Sequence, residues 1–147
     1  VSPEIRTVAG PDDLRAAMAI RRAVFVEEQG IPEAEEFDAR DAEAEHLIVI
    51  ADDGTPVATC RVFADEGDGW ARLGRLAVLP RARRRGLASR MIAACEDRAR
   101  AAGARWMALD AQTTAMPLYE RSGYTGEGED FDDGSGIMHR RMVKALV

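Results

Sequence analysis

The segment from Leu76 to Ala99 constrains this chain more than any other. Leu76-Ala77-Val78-Leu79 reads as the end of a strand, closed by Pro80, which has no N–H to give a sheet ladder. Arg81-Ala82-Arg83-Arg84-Arg85-Gly86 follows as a turn. Leu87, Met91, Cys95 and Ala99 then recur every four residues, the apolar stripe of an amphipathic helix that ends before Gly103. A strand that passes through a glycine-containing turn into a helix aims several unpaired N–H groups at one place, where the helix dipole favours an anion. Gly86 and the small Ala88 would let a pyrophosphate approach the main chain, and the arginine side chains would add charge around it. The same residues also fit a solvated arginine-rich turn in which Gly86 serves only its dihedral angles. Neither GxxxxGK(S/T) nor GxGxxG is present, which excludes a P-loop and a dinucleotide-binding fold.

Around this unit the pattern predicts a mixed domain. Ile5–Val8 reads as a strand. A helix capped by Asp12 or Asp13 follows, running through Leu14, Met18, Ile20 and Val24. Phe25–Phe37, broken by Gly30 and Pro32, reads as a loop or broken helix. His46–Ala51 and Val57–Ala64 form a hairpin about Asp53-Gly54, residues 65–69 make a second turn, and Trp70–Leu79 is the third strand. Trp106–Ala111 is another strand, Thr114–Ser122 a short helix closed by Gly123, and Ile137–Val143 the last strand. The expected fold is α+β (mixed α/β), one domain over residues 1–147, with a central, mixed, mostly antiparallel sheet and helices on both faces. An exposed edge on the last strand would suit a homodimer.

Charge narrows the partners. Twenty basic against 26 acidic residues give a net −6, which argues against a dedicated nucleic-acid binder. Residues 69–95 nevertheless hold seven arginines and no acid, residues 27–45 nine acids against Arg40 alone, and residues 127–133 five acids and no base. An anion in the basic centre and a cationic amine drawn by the acidic flanks is the expectation from this map, with solvated acidic loops as the bland alternative. Cys60 and Cys95 are isolated and only His46 and His139 accompany them, so no metal site is expected. No signal pattern and no membrane span is expected, and a cytoplasmic location follows as the expectation.

Arg83-Arg84-Arg85-Gly86-Leu87-Ala88 resembles the (Gln/Arg)-x-x-Gly-x-(Gly/Ala) acetyl-CoA motif of the GNAT superfamily of N-acetyltransferases. Leu76–Pro80 before it and Pro117-Leu118-Tyr119-Glu120-Arg121-Ser122-Gly123-Tyr124 after it make the resemblance specific. Residues 22–32 and Ile137-Met138-His139 are similar to the small bacterial ElaA- and YjcF-like branch, so the likeness spans nearly the whole chain. The chain departs at Met138, where that branch usually has Pro, at Gln112, where many relatives have Asn, and at Ala88 in place of the commoner Gly.

The resemblance implies direct transfer of acetyl from acetyl-CoA to a small-molecule or peptidyl amine. It assigns main-chain contacts with the pantetheine arm to Leu76 and Val78, pyrophosphate binding to the turn through Ser89, a place beside the cofactor to Gln112, and proton donation to the CoA thiolate to Tyr119. Read without it, Tyr119 on a short helix also fits plain packing with a satisfied hydroxyl. A base must free the amine, and Glu27, Glu28, Asp110 and His139 are all candidates, Glu28 and His139 being taken as the catalytic pair with Tyr119. The alternative function is a non-catalytic acyl-CoA-binding module, which needs the turn but neither Tyr119 nor a base. An RNA- or DNA-binding role for the arginine run is disfavoured by the acidic remainder.

Overall fold

A computed structural model of the chain describes residues 3–64 and 69–147. The turn expected at 65–69 therefore lies almost wholly outside the described residues. In chain order the elements are β1 (Glu4–Thr7), α1 (Gly10–Arg21), a π-helical continuation (Arg22–Glu28), α2 (Glu33–Glu36), β2 (Glu45–Ile50), β3 (Pro56–Ala64), β4 (Trp70–Val78), α3 (Leu87–Ala101), β5 (Trp106–Gln112), α4 (Met116–Arg121), β6 (Thr125–Asp132) and β7 (Met138–Ala145). The strands form one sheet in the order β1-β2-β3-β4-β5-β7-β6, with β4 and β5 parallel and the other neighbours antiparallel.

Leu87, Met91, Ile92, Cys95 and Ala99 of α3 are buried against one face of the sheet, together with Tyr119 from α4. Ile20, Val24 and Phe25 from α1 and its continuation form a smaller core with Ile31 and Ala77 on the other face. The expected α+β architecture, with helices on both faces, is what the chain adopts.

Phe25–Phe37 adopts the broken-helix alternative, α1 widening into π-turns through Glu28 and α2 following after Gly30 and Pro32. Two local expectations change. Residues 125–132, given no element from the sequence beyond the acidic run at 127–133, form β6, whose glycines and acids are tolerated because it is an exposed edge strand. The last strand, β7, is consequently paired on both sides and offers no free edge for a partner.

Candidate active site

Strands β4 and β5 pair only at Trp70↔Trp106, Ala71↔Met107 and Arg72↔Ala108, and beyond Arg72 they part. The cause lies in the β3–β4 register. Thr59 faces Ala77 and Arg61 faces Gly74, so Arg75 and Leu76 together oppose Cys60. This is a β-bulge, which bends a strand and shifts its facing by one residue. Ala71 and Leu73 before it point into the α3 core, as do Leu76 and Val78 after it, while Ala77 joins the α1 core. Arg75 occupies the left-handed region at φ 53, a strained setting for a non-glycine residue. Its guanidinium is clamped on the Glu35 and Glu36 carbonyls and on Asp38, which holds the bulge in place.

The parted strands enclose a cavity of about 630 Å³. Leu79 N–H donates to Val57 of β3, so by strand alternation the main-chain groups of Leu76 and Val78 face the cleft instead. Arg84 (φ 64) and Gly86 (φ 76) both adopt left-handed conformations in the turn beyond, a geometry that gathers successive N–H groups into an anion nest. Gly86 begins α3, which has no side-chain cap and no acid in its first turn. A Cβ at Gly86 would meet nothing within 4 Å, so the space over the turn is open. Arg84, Arg85 and Ser89 are exposed around it, Leu87 turns into the core, and Ala88 lines the cavity. These features fit a pyrophosphate approaching the main chain.

Arg83 does not join that nest. Its Nε donates to the Val78 carbonyl at 2.9 Å, and its terminal nitrogens donate to both Glu28 oxygens at 2.8 and 2.6 Å. This hydrogen-bonded guanidinium holds the Glu28 carboxyl below its ordinary range. A carboxylate with both oxygens taken and a lowered pKa is a poor proton acceptor, so Glu28 is better described as a tether than as the base. Beside it, Gln29 accepts a 2.7 Å hydrogen bond from Gln112. The end of the π-helical segment thus bridges the cleft, Glu28 to the β4 side and Gln29 to the β5 side.

Tyr119 and Tyr124 meet edge to face, with centroids 6.2 Å apart. The Tyr124 hydroxyl donates to Glu96 at 2.9 Å, which is the satisfied packing role. Tyr119, only 9% exposed, lines the cavity, and its hydroxyl has no partner among the described residues. Burial, with the Cys60 and Cys95 thiols nearby, pushes its phenol above the ordinary value and keeps it protonated.

At the far end of the cavity the other base candidates differ sharply. Asp110 is ion-paired with Arg72. Glu27 does not line the cavity. His139, paired with Gln112 across β5 and β7, is buried, with Nδ1 2.7 Å from the Ile137 carbonyl. A carbonyl only accepts, so the hydrogen sits on Nδ1 and the lone pair on Nε2, which lies 3.5 Å from Asp133. Burial would raise the Asp133 carboxyl, but hydrogen bonds from Ser135, with His139 and Arg75 close by, bring it below the ordinary value.

Of the acidic 27–45 stretch, expected with residues 127–133 to draw a cationic acceptor, Glu36, Asp38 and Asp41 are spent internally, while Glu35 lines the cavity. Arg21 binds Glu36 and Asp41, Arg61 binds Asp38 and Asp41, and Arg75 binds Glu36 and Asp38. Three cations thus neutralise three acids. Charge runs do not reveal this, because the partners come from distant segments. An arginine inside the apolar strand Val57-Ala58-Thr59-Cys60-Arg61-Val62-Phe63 is the one local sign that a buried ion pair awaits it.

Residues 14–124 match the family described as acetyltransferase (GNAT). A Bacillus subtilis protein, YjcF, described as an uncharacterised N-acetyltransferase, is 37% identical over 133 residues, covering 90% of this chain and 93% of its own. A candidate N-acetyltransferase from Lactobacillus plantarum superposes with a TM-score of 0.89 at 30% identity, each chain covered fully. Escherichia coli ElaA shares the fold, with a TM-score of 0.84 at 21% identity over 97% of this chain and 99% of its own.

Proposed function

The chain belongs to the GNAT family of acetyltransferases, and on that premise we propose that it transfers an acetyl group from acetyl-CoA directly to an amine, with Tyr119 as the proton donor and His139 as the proton acceptor. The observation that carries this reading is the contrast between the two tyrosines: Tyr124 spends its hydroxyl on Glu96, while Tyr119 keeps its own unpaired at the cavity wall. Acetyl-CoA supplies an activated thioester. The uncapped start of α3 and the turn at Arg84–Gly86 bind its pyrophosphate, and the cleft-facing main-chain groups of Leu76 with the N–H of Val78, whose carbonyl is taken by Arg83, align its arm.

His139 Nε2, 3.5 Å from the Asp133 carboxylate, takes a proton from the acceptor ammonium. The neutral amine then forms the C–N bond to the carbonyl carbon. As the C–S bond breaks, Tyr119 gives its proton to the departing sulfur, and the proton shed by the new amide nitrogen restores the phenol. Gln112 and Gln29 roof the place where the two substrates meet.

Release of free CoA thiol from acetyl-CoA in the presence of amines tests the reading. Tyr119→Phe is expected to lower kcat by about 10²–10⁴-fold with little change in acetyl-CoA KM. An unchanged kcat would return Tyr119 to a packing role.

A further inference from the structure

The floor of the acceptor half of the cavity holds a donor that the ion pairs leave unused. Arg61 is 5% exposed. Its Nη1 donates to Asp38 and Asp41 at 2.7 Å each, and its Nη2 to Asp38 at 3.0 Å. Its Nε is buried and has no partner among the described residues. An unmatched buried N–H weakens a fold, so its position calls for a cause. The β3–β4 register sets Arg61 opposite Gly74, and a Cβ at Gly74 would stand 3.7 Å from that Nε. With no side chain there, nothing from Gly74 covers this edge of the guanidinium, which lies buried beside the cavity that both residues line.

Two residues earlier on the same face of β4, Arg72 also lines the cavity and holds Asp110 through Nη2. Its other N–H groups have no partner among the described residues. Arg61 and Arg72 are diagonal neighbours on an antiparallel pair, a relation that sets Cβ atoms ~7–8 Å apart. Guanidinium groups at that separation can converge on one carboxylate, the planar anion their geometry suits best. A polyamine at the same place would bring an ammonium, which only donates, to guanidinium N–H groups that only donate.

We propose that the acceptor is an amine carrying a carboxylate, of the amino-acid or short-peptide class, seated over Gly74 with its carboxylate between Arg61 Nε and Arg72. Asp110, beside Arg72, complements the ammonium end of such a zwitterion. This rests on the acetyltransfer reading above and names the acceptor class for it.

The test compares amines matched in length with and without the carboxylate, 4-aminobutyrate against propylamine and lysine against cadaverine, by thiol release at fixed acetyl-CoA. The acids are expected to give kcat/KM higher by roughly 10–100-fold, the ratio of one or two charge-assisted hydrogen bonds. Gly74 has no left-handed φ, so Gly74→Ala is sterically tolerable and lays a methyl group over Arg61 Nε. It is expected to raise KM for the acids roughly tenfold, with acetyl-CoA affinity by calorimetry unchanged as the check on folding. Equal or better use of the decarboxylated amines, or an acid preference that Gly74→Ala leaves intact, would overturn the inference and leave acetyltransfer standing. No thiol release with any amine would overturn both.

Discussion

At the α3 end of the cleft Arg84 and Arg85 stand exposed, without an ion-pair partner among the described residues, whereas under the opposite end Arg21 and Arg61 are buried and Arg75 half-buried, all tied to Glu36, Asp38 and Asp41. The first region is built by the backbone of one continuous segment, and its side chains only add charge. The second is built by side chains from α1, the 36–41 stretch, β3 and β4, and no short piece of it has a function alone. A left-handed turn at a helix start needs only local dihedral angles; a buried ion-pair network needs tertiary placement.

Breaking the local region has the largest expected effect. Gly86→Val forces a β-branched residue to φ 76 and fills the open space over the turn. Acetyl-CoA binding is expected to fall below calorimetric detection while far-UV circular dichroism remains native. Binding at wild-type strength in a folded variant would show that the turn is not the cradle.

The acceptor-side network is probed by acid. Hydrogen bonds from Arg61, with Arg75 adjacent, hold the Asp38 carboxyl down to about 2, against 3.8 unperturbed. Its folded-state pKa lies below the unfolded one, so its stabilisation is complete above the unfolded value and is lost as pH falls through the folded one. Asp38→Asn is therefore expected to lower the urea midpoint at neutral pH and to flatten its decline between about pH 4 and pH 2. Parallel curves for variant and wild type would mean that the Arg61–Asp38 pair does not stabilise the fold.

The smallest effect is expected where the two regions touch. Glu28→Gln removes the tether to Arg83 at an exposed site. It should lower kcat by less than about tenfold, against the 10²–10⁴-fold that a general base contributes. A larger loss, with the acid limb of the pH–rate profile abolished, would restore Glu28 as the base.

Much of the fold was legible because its signals are local. The four-residue spacing of Leu87, Met91, Cys95 and Ala99 marked α3, Asp53-Gly54 marked the β2–β3 hairpin, and Pro80 marked the end of β4. Strand β6 was hidden because its glycines and acids mimic a turn, and only pairing with β7 makes it a strand. The bulge at Arg75 was hidden too, since an arginine carries no propensity for φ 53.

The sequence alone determined the strand–turn–helix proposed to receive an anion, since Gly86, an uncapped helix start and alternating main-chain groups act over a few residues. Tertiary structure decided which acids face a ligand. Nine acids between residues 27 and 45 look alike in one dimension, yet Glu28 closes on Arg83 while Glu36, Asp38 and Asp41 are consumed by Arg21, Arg61 and Arg75. Coulomb interactions depend on distance in space, and burial multiplies them, so charge order along the chain does not predict charge at the site.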